Sequence, residues 1–461
     1  MINKKIYLIQ PTYRDPQGRL HQGKRLIYSS LALPALSAAI PPDWQKEICF
    51  EYFDDVHYET DASIVGLSSM GYDILHGSEI GAEFKRRGKL VLFGGLQAHF
   101  SAKRLAGVCD SIVHGNPGPQ QMKLILDDAE RGRLNPDYWC GMDTNFPFDY
   151  SLLSDRRLQF VPVLTSVGCK EDCDFCCTAA VCNGRYRLRK LDIVVADLNA
   201  ARAIGRNIVF SDSNILNNKD YLERLCTRIV RERMGIRWAA QCTIDVGDDP
   251  ELLGLLKRSG CLALLVGIET LDERNMNSVH KRMSVAQHRT RIRNIRNAGI
   301  IVGGYFVLGM DYDSASTYDE MFRFIRDSRI ALPILNILLP AFGTRLADRL
   351  EREGRMLVRD EDEFMKNTAR FATASSHCFY VPMRMSAPKT EEEFRRLYGR
   401  LTSWREIIRR SVHPGLTSSA MLFQMNVGMR GEYRAMLDEV NGSRPQSSER
   451  LSGARSDGTT A

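Results

Sequence analysis

Cys169, Cys173 and Cys176 are spaced C-x3-C-x2-C in the stretch GCKEDCDFCCTAAVCNGRYRLR, which holds five of the chain's twelve cysteines. A structural zinc takes four protein ligands, commonly from two paired Cys/His elements. No second C-x2-C or His pair accompanies this group. Three thiolates on one loop suit three irons of a 4Fe–4S cluster and leave the fourth iron to an external ligand, a substrate or a cofactor. Cys169, Cys173 and Cys176 are therefore the expected metal ligands.

Such a loop needs a rigid platform, and the sequence supplies two alternations of strand and helix. In the first third, apolar runs predict strands at Lys5–Ile9, Ile48–Phe53, Ala62–Leu67, Leu90–Phe93 and Ser111–Val113. Helical patterns fall at Leu26–Ile40, interrupted by Pro34, and at Leu75–Arg87 and Gln120–Glu130. Short apolar strands alternating with helices imply a doubly wound parallel sheet, whose ligands bind beyond the carboxyl ends of the strands. Those ends carry Ser68-Ser69, Gly94-Gly95 and His114-Gly115. Turn glycines alone would read the same way.

The segment 136–158, rich in Pro, Asp and aromatics, reads as a linker. A second alternation follows, with strands at Phe160–Leu164, Asn207–Phe210, Arg237–Gln241, Ala263–Val266, Gly303–Leu308 and Asn336–Leu339. Six strand–helix units in series predict a partial parallel barrel with its chemistry at the strand ends. The cysteine loop follows the first of these strands. The expected fold is thus α/β: a doubly wound sheet over 1–135, a partial (βα)6 barrel over 159–345, a helical C-terminal segment over 346–440 and a disordered polar tail over 441–461.

Net charge is +7, and the excess lies on Arg-rich helical faces and in the tail, so a nucleic-acid partner is not expected. No run of about 18 apolar residues predicts a membrane span. The N-terminus has too short an apolar run for a signal peptide and reads as a first strand. A reducing cytoplasm is the expected location, where clustered cysteines serve as ligands or catalytic groups more often than as disulfides.

GCKEDCDFC resembles the signature of the radical S-adenosylmethionine (SAM) superfamily. The resemblance spans Lys4 to Arg409, and the first third is similar to the cobalamin-binding domain that precedes the barrel in class B members. The succession VGIETLDERNMNSVHKR, GYFVLGMDYD and LLPAFGTRLADRLEREGRM resembles the hopanoid-methylase branch. The resemblance implies that SAM chelates the fourth iron, and that its reductive cleavage gives a 5′-deoxyadenosyl radical that abstracts hydrogen from substrate. It also implies an electron donor such as flavodoxin or ferredoxin.

The same resemblance places a cofactor pocket on the strand ends. Phe175 matches an aromatic whose backbone lies against adenine; loop packing is its other reading. Ser211, Asp212, Ser213 and Asn214 stand where relatives hold the SAM amino group, although Ser, Asp and Asn are also common helix caps. Gln241 and Thr243 end the next strand, within reach of ribose or carboxylate. Gly267 permits close backbone approach, and Glu269 contacts SAM or substrate, or else pairs with an Arg. One of Arg185, Arg187 and Arg189 is a candidate partner for a carboxylate. Cys177, beside the cluster, is a candidate hydrogen-atom donor and so a catalytic residue; as a small buried hydrophobe it has a plainer role, as does Cys182.

Cobalamin is the open cofactor. The motif D-x-H-x-x-G is absent, and its nearest match, Asp54-Asp55-Val56-His57, has the wrong spacing. Where relatives read G-E-x-E, this chain reads Gly115-Asn116-Pro117-Gly118. In favour stand Ser68, Gly94 and Gly95, on turns that resemble the family's. The leading expectation is cobalamin-dependent methylation of an unactivated carbon in a lipid or other small molecule. The alternatives are a cobalamin-independent dehydratase, cyclase or rearrangement enzyme, and a non-catalytic iron–sulfur carrier or sensor, which would need no polar strand ends.

Overall fold

The computed structural model describes residues 2–15, 17–278, 285–370 and 376–442. The first sheet contains β1 (Lys5–Gln10), β2 (Gln45–Phe50), β3 (Ile64–Ser68), β4 (Leu90–Gly94), β5 (Ser111–Asn116) and β6 (Asp137–Met142), all parallel, in the order β2-β1-β3-β4-β5-β6. Alternate residues pack on opposite faces. Ile6, Leu8 and Leu92 meet Leu33, Met122 and Ile125 on one side. Tyr7, Ile9, Val65 and Phe93 meet Ile74, Ile80 and Phe84 on the other. Burial of both faces explains why these strands read as continuous apolar runs.

Three expectations for this half need correction. The second strand runs over Gln45–Phe50 rather than Ile48–Phe53, because Asp54 turns the chain back: its N–H donates to Phe50 O at 2.9 Å and its Oδ2 accepts from Phe50 N at 3.1 Å. The polar Gln45 and Lys46 are tolerated because β2 is an edge strand. Of the helix expected over Leu26–Ile40, only Ala32–Ala39 forms. Pro34 lies in its first turn, where a missing N–H costs no helical bond. Leu26 is extended instead and bridges to Leu158. The expected linker opens with β6, an edge strand whose exposed Trp139 disguised it as loop.

The second sheet contains β7 (Val161–Val163), β10 (Asn207–Phe210), β11 (Arg237–Thr243), β12 (Cys261–Glu269), β13 (Ile301–Leu308) and β14 (Leu332–Ile337), six parallel strands in sequence order. It is the open barrel expected. The last strand begins earlier than the predicted Asn336–Leu339, and its Pro333 is accommodated because β14 is an edge. A separate antiparallel ribbon, β8 (Ser166–Gly168) with β9 (Tyr186–Leu188), frames the cysteine loop.

The C-terminal segment is helical, as expected. In its last helix, Leu416–Gly442, Leu422 packs with Phe160, Ala239, Ala263, Ile301 and Leu332, residues at or near the N-terminal ends of the barrel strands. This closes the bottom of the barrel and leaves the carboxyl ends for chemistry. The tail expected to be disordered lies, from 443 on, outside the described residues, as do 279–282 of the VGIETLDERNMNSVHKR stretch.

Candidate cofactor site at the barrel mouth

The cysteine loop is held at both ends. Gly168 has φ +86, and a Cβ there would fall 2.1 Å from Arg185 O, so only glycine lets β8 approach β9. The loop then runs to the helix Cys177–Cys182, which ends on Asn183 at φ 47. On the far side Arg345 clamps it: Nε donates to Asp174 Oδ1 at 2.8 Å and Nη2 to Asp172 O at 2.7 Å. Leu346 N–H donates to Asp174 O at 3.1 Å. Phe175 packs with Met310, Leu338 and Leu346 around a small crevice.

The thiols fit a cluster. Cys169 is buried, Cys173 and Cys176 are partly exposed, and all twelve cysteines are free of disulfides. Among the described residues no three His, Cys, Asp or Glu side chains are gathered tightly enough for a single metal ion. A cubane binds each thiolate to a different iron and does not require the three sulfurs on one ion. Asn217 adds a donor. Its Oδ1 accepts from Lys170 N at 3.4 Å and lies 3.9 Å from Cys169 Sγ. Its Nδ2 is buried with no hydrogen-bond partner, an amide suited to a sulfur-rich anionic group. Burial pushes Cys49, Cys226 and Cys378 up to about 12, in keeping with packing thiols.

The run Ser211–Asn214 divides by side. Ser211 and Ser213 are exposed and line a crevice, whereas Asp212 and Asn214 are buried. Both carboxylate oxygens of Asp212 take hydrogen bonds from within the protein. Its Oδ2 accepts from Thr165 N at 3.0 Å, and its Oδ1 accepts from the Thr165 and Ser166 hydroxyls. Burial raises its carboxyl above the usual range. Asn214 Oδ1 accepts from Leu216 N at 3.0 Å and Thr243 N at 3.2 Å, tying the end of β10 to that of β11. Gln241 is exposed at the end of β11, and Thr243 pairs with Gly267 of β12. After Gly267 the ladder to β13 slips by one residue, and Glu269 emerges with φ 63. A buried glutamate in the left-handed region is strained backbone of the sort held at functional sites.

The crevice has a volume of about 370 Å³ and joins the two sheets. Ser68, Gly94 and Gly95 line it from the first sheet, Gly168 from the β8–β9 ribbon, and Ser211 and Ser213 from the barrel. Gly95 answers to the chain itself as well as to any ligand, since a Cβ there would fall 2.2 Å from Ser69 O. Cys182, with Thr178 and Val181, reaches the crevice from the helix after the cysteines. Burial raises the Cys177 thiol and keeps it protonated, the form that packing and hydrogen-atom donation both use. Arg189 is not at the crevice surface. It is 1% exposed, pairs with Asp197 at 2.8 Å and donates to Thr144 O and Phe146 O, which fixes the crevice-lining segment between the sheets. His99, in the turn Gly94–His99 that resembles the family's, also lines the space, as do Phe146, Phe148 and Asp143, which the sequence placed only in a linker. Asp143 Oδ2 would lie 3.0 Å from a Cβ on Gly118, so β6 brings an acid to the turn that lost its own.

The sequence model of the Radical SAM superfamily matches residues 163–325, the strands and loops that carry this site. Residues 163–325 therefore form a radical SAM domain. The chain is a radical SAM enzyme, and it is similar to the following methyltransferases. Bacteriochlorophyllide d C-8(2)-methyltransferase of Chlorobaculum tepidum is 25% identical over 407 residues, 83% of this chain and 87% of that one. The C-12(1)-methyltransferase of the same organism is 26% identical, over 72% of this chain and 73% of its own. Hopanoid C-2 methylase of Rhodopseudomonas palustris is 28% identical, over 48% of this chain and 43% of its own. The fold is that of the radical SAM methyltransferase TsrM of Kitasatospora setae, a structure with cobalamin and a [4Fe-4S] cluster bound, at TM-score 0.70 and 16% identity over 96% of this chain and all of the other.

Proposed function

We propose that this radical SAM enzyme methylates an unactivated carbon of a small apolar molecule, a lipid or a pigment-like ring, with cobalamin as its third cofactor. The observation that carries the reading is the single crevice shared by the carboxyl ends of the first sheet and the barrel mouth beside the cysteines. Relatives whose names specify methylation of bacteriochlorophyllide and hopanoid carbons support it.

The bound groups supply hydrogen-atom abstraction and methyl delivery, chemistry that no side chain provides. The chain's own work is holding and shielding. Cys169, Cys173 and Cys176 hold the cluster. Ser211 and Ser213 offer hydroxyls that accept from the SAM ammonium and donate to its carboxylate. Gln241, Thr243 and the backbone at Gly267 and Phe175 border the nucleoside, and Glu269 presents its carboxylate to SAM or substrate. Ser68, Gly94 and Gly95 border cobalamin on the first sheet. Leu31, Ala35, Leu36, Phe146 and Phe148 form an apolar wall that excludes water.

Among the described residues no helix is long and apolar enough to cross a membrane. Free thiols throughout suit a reducing compartment such as the cytoplasm, with flavodoxin or ferredoxin as electron source.

The test is anaerobic reconstitution with cobalamin, gel filtration, and turnover with methyl-labelled SAM. Retention of about one cobalamin per chain and label on a product carbon are expected. A chain without corrin bands that forms 5′-deoxyadenosine but transfers no label would be a cobalamin-independent radical enzyme instead.

A further inference from the structure

The helices Trp404–Ser411 and Leu416–Gly442 pack on each other beneath the barrel, where Arg410 Nε donates to Asn426 Oδ1 at 3.0 Å and Asn426 Nδ2 to Ala331 O at 3.2 Å. Their inward sides are spent on the fold: Ile407, Arg410, Leu422 and Asn426 are buried. Their outward sides are apolar. Trp404, Ile408 and Val412 recur every fourth residue along the first helix and its C-cap, and are 49%, 57% and 77% exposed. Leu416, 90% exposed, opens the last helix, and Phe423, 43% exposed, follows two turns later on the same side. Five of the fifteen large apolar side chains exposed among the described residues thus fall within twenty consecutive positions. Such clustering marks a contact surface, whereas single exposed apolar residues need no explanation.

The charge on this face has one sign. Between Trp404 and Gly431 the single acid is Glu406, 5% exposed and paired with Arg409 at 2.6 Å. Arg405 is exposed and has no ion pair among the described residues. Arg430 lies over the Trp404 ring at 5.0 Å and donates from Nη1 to Thr402 O, not to a carboxylate. Arg434 is exposed on the same side of the last helix as Leu416. Apolar side chains bordered by arginines match a layer of anionic headgroups over hydrocarbon. A second copy of the chain matches less well, because a two-fold contact sets these arginines against their own images with no exposed acid between them. The chain's own end does not match either: 443–461 holds three arginines against two acids, and one large apolar side chain, Leu451. We propose that this face docks on the surface of an anionic phospholipid bilayer, with Trp404, Ile408, Val412, Leu416 and Phe423 entering the headgroup layer and Arg405 and Arg434 pairing with lipid phosphates. The chain then lies on a membrane without spanning it. Because these helices close the N-terminal end of the barrel, docking leaves the crevice at the carboxyl ends clear.

The test is sedimentation of the full chain with vesicles, either of equimolar phosphatidylglycerol and phosphatidylcholine or of phosphatidylcholine alone. Binding to the anionic vesicles is expected, about tenfold or more weaker to the neutral ones, and falling as salt is added. Ile408→Asp and Val412→Asp together should abolish binding and leave SAM cleavage unchanged, since both side chains are exposed and far from the cysteine loop in sequence and fold. Arg405→Gln, which disturbs no buried group, should weaken binding about fivefold, and it keeps the test decisive where the double variant folds poorly. A chain that stays in solution beside anionic vesicles overturns the proposal, as does vesicle binding that neither variant weakens. A dimer without vesicle binding, seen by sedimentation velocity and dissociated by the double variant, overturns it in favour of a contact between copies.

Discussion

Asp212 and Thr165 are joined twice, Oδ2 accepting from the Thr165 amide at 3.0 Å and Oδ1 from its hydroxyl at 2.6 Å. The pair fastens the end of β10 to the turn that launches the cysteine loop. Asp212→Ala leaves three buried donors without an acceptor, each costing about 1–3 kcal/mol. Its melting temperature and iron content should therefore both fall. Ser213→Ala, on the crevice side, should leave both unchanged and weaken SAM about tenfold, the loss of one hydrogen bond to a charged group. An Asp212→Ala protein with normal iron and melting but no SAM binding would return Asp212 to the ligand set.

Glu269 has a φ that glycine adopts freely, at a cost of about 1–2 kcal/mol for other residues. A residue chosen for stability alone would be glycine. Glu269→Gly should accordingly be more stable than Glu269→Ala by about 1 kcal/mol in denaturant melts. Both should lose most 5′-deoxyadenosine formation. Full SAM cleavage by Glu269→Gly would show that the carboxylate takes no part in the chemistry.

The cysteine spacing and the polar strand ends were legible because metal ligands and strand termini leave local marks. What was illegible depends on the third dimension. Ser211 and Asp212 are adjacent and chemically alike as ligands, but the chain leaving β10 turns one to the crevice and the other into the protein. Trp139 and its neighbours looked like linker because an edge strand needs no apolar alternation. Asp143 and His99 reach the crevice only because the ends of β6 and β4 meet there.

His76 sets a pH dependence. Burial pulls its imidazole down, but hydrogen bonds to Glu51 and Glu79 prevail, and the net displacement is upward from 6.5. A folded value above the unfolded one means that the stabilisation is fully present below about pH 6.5 and is lost as pH rises through the folded value. Glu51, itself buried, then loses its cationic partner. The melting temperature should decline as pH rises from about 6.5 through the raised folded value, and His76→Gln, which keeps a donor but does not titrate, should flatten that decline. An equal slope in both proteins would assign the pH dependence to other groups.

The cluster assignment makes the sharpest demand on five neighbouring thiols. Replacing Cys169, Cys173 or Cys176 by Ala leaves two ligands on the loop, too few to hold three irons. Each variant should lose brown colour, iron and reductive SAM cleavage together. Cys177→Ala and Cys182→Ala should keep iron and SAM cleavage, because neither thiol belongs to the C-x3-C-x2-C triad. They differ in position: Cys182 lines the crevice, whereas Cys177 is the first residue of the helix and its thiol is raised by burial. Cys177→Ala should cost only packing, about 1 kcal/mol of stability, and leave product formation intact. Loss of product with normal SAM cleavage in Cys177→Ala would restore that thiol as a hydrogen-atom donor. Full iron in any single mutant of the first three would show that the triad is not the ligand set.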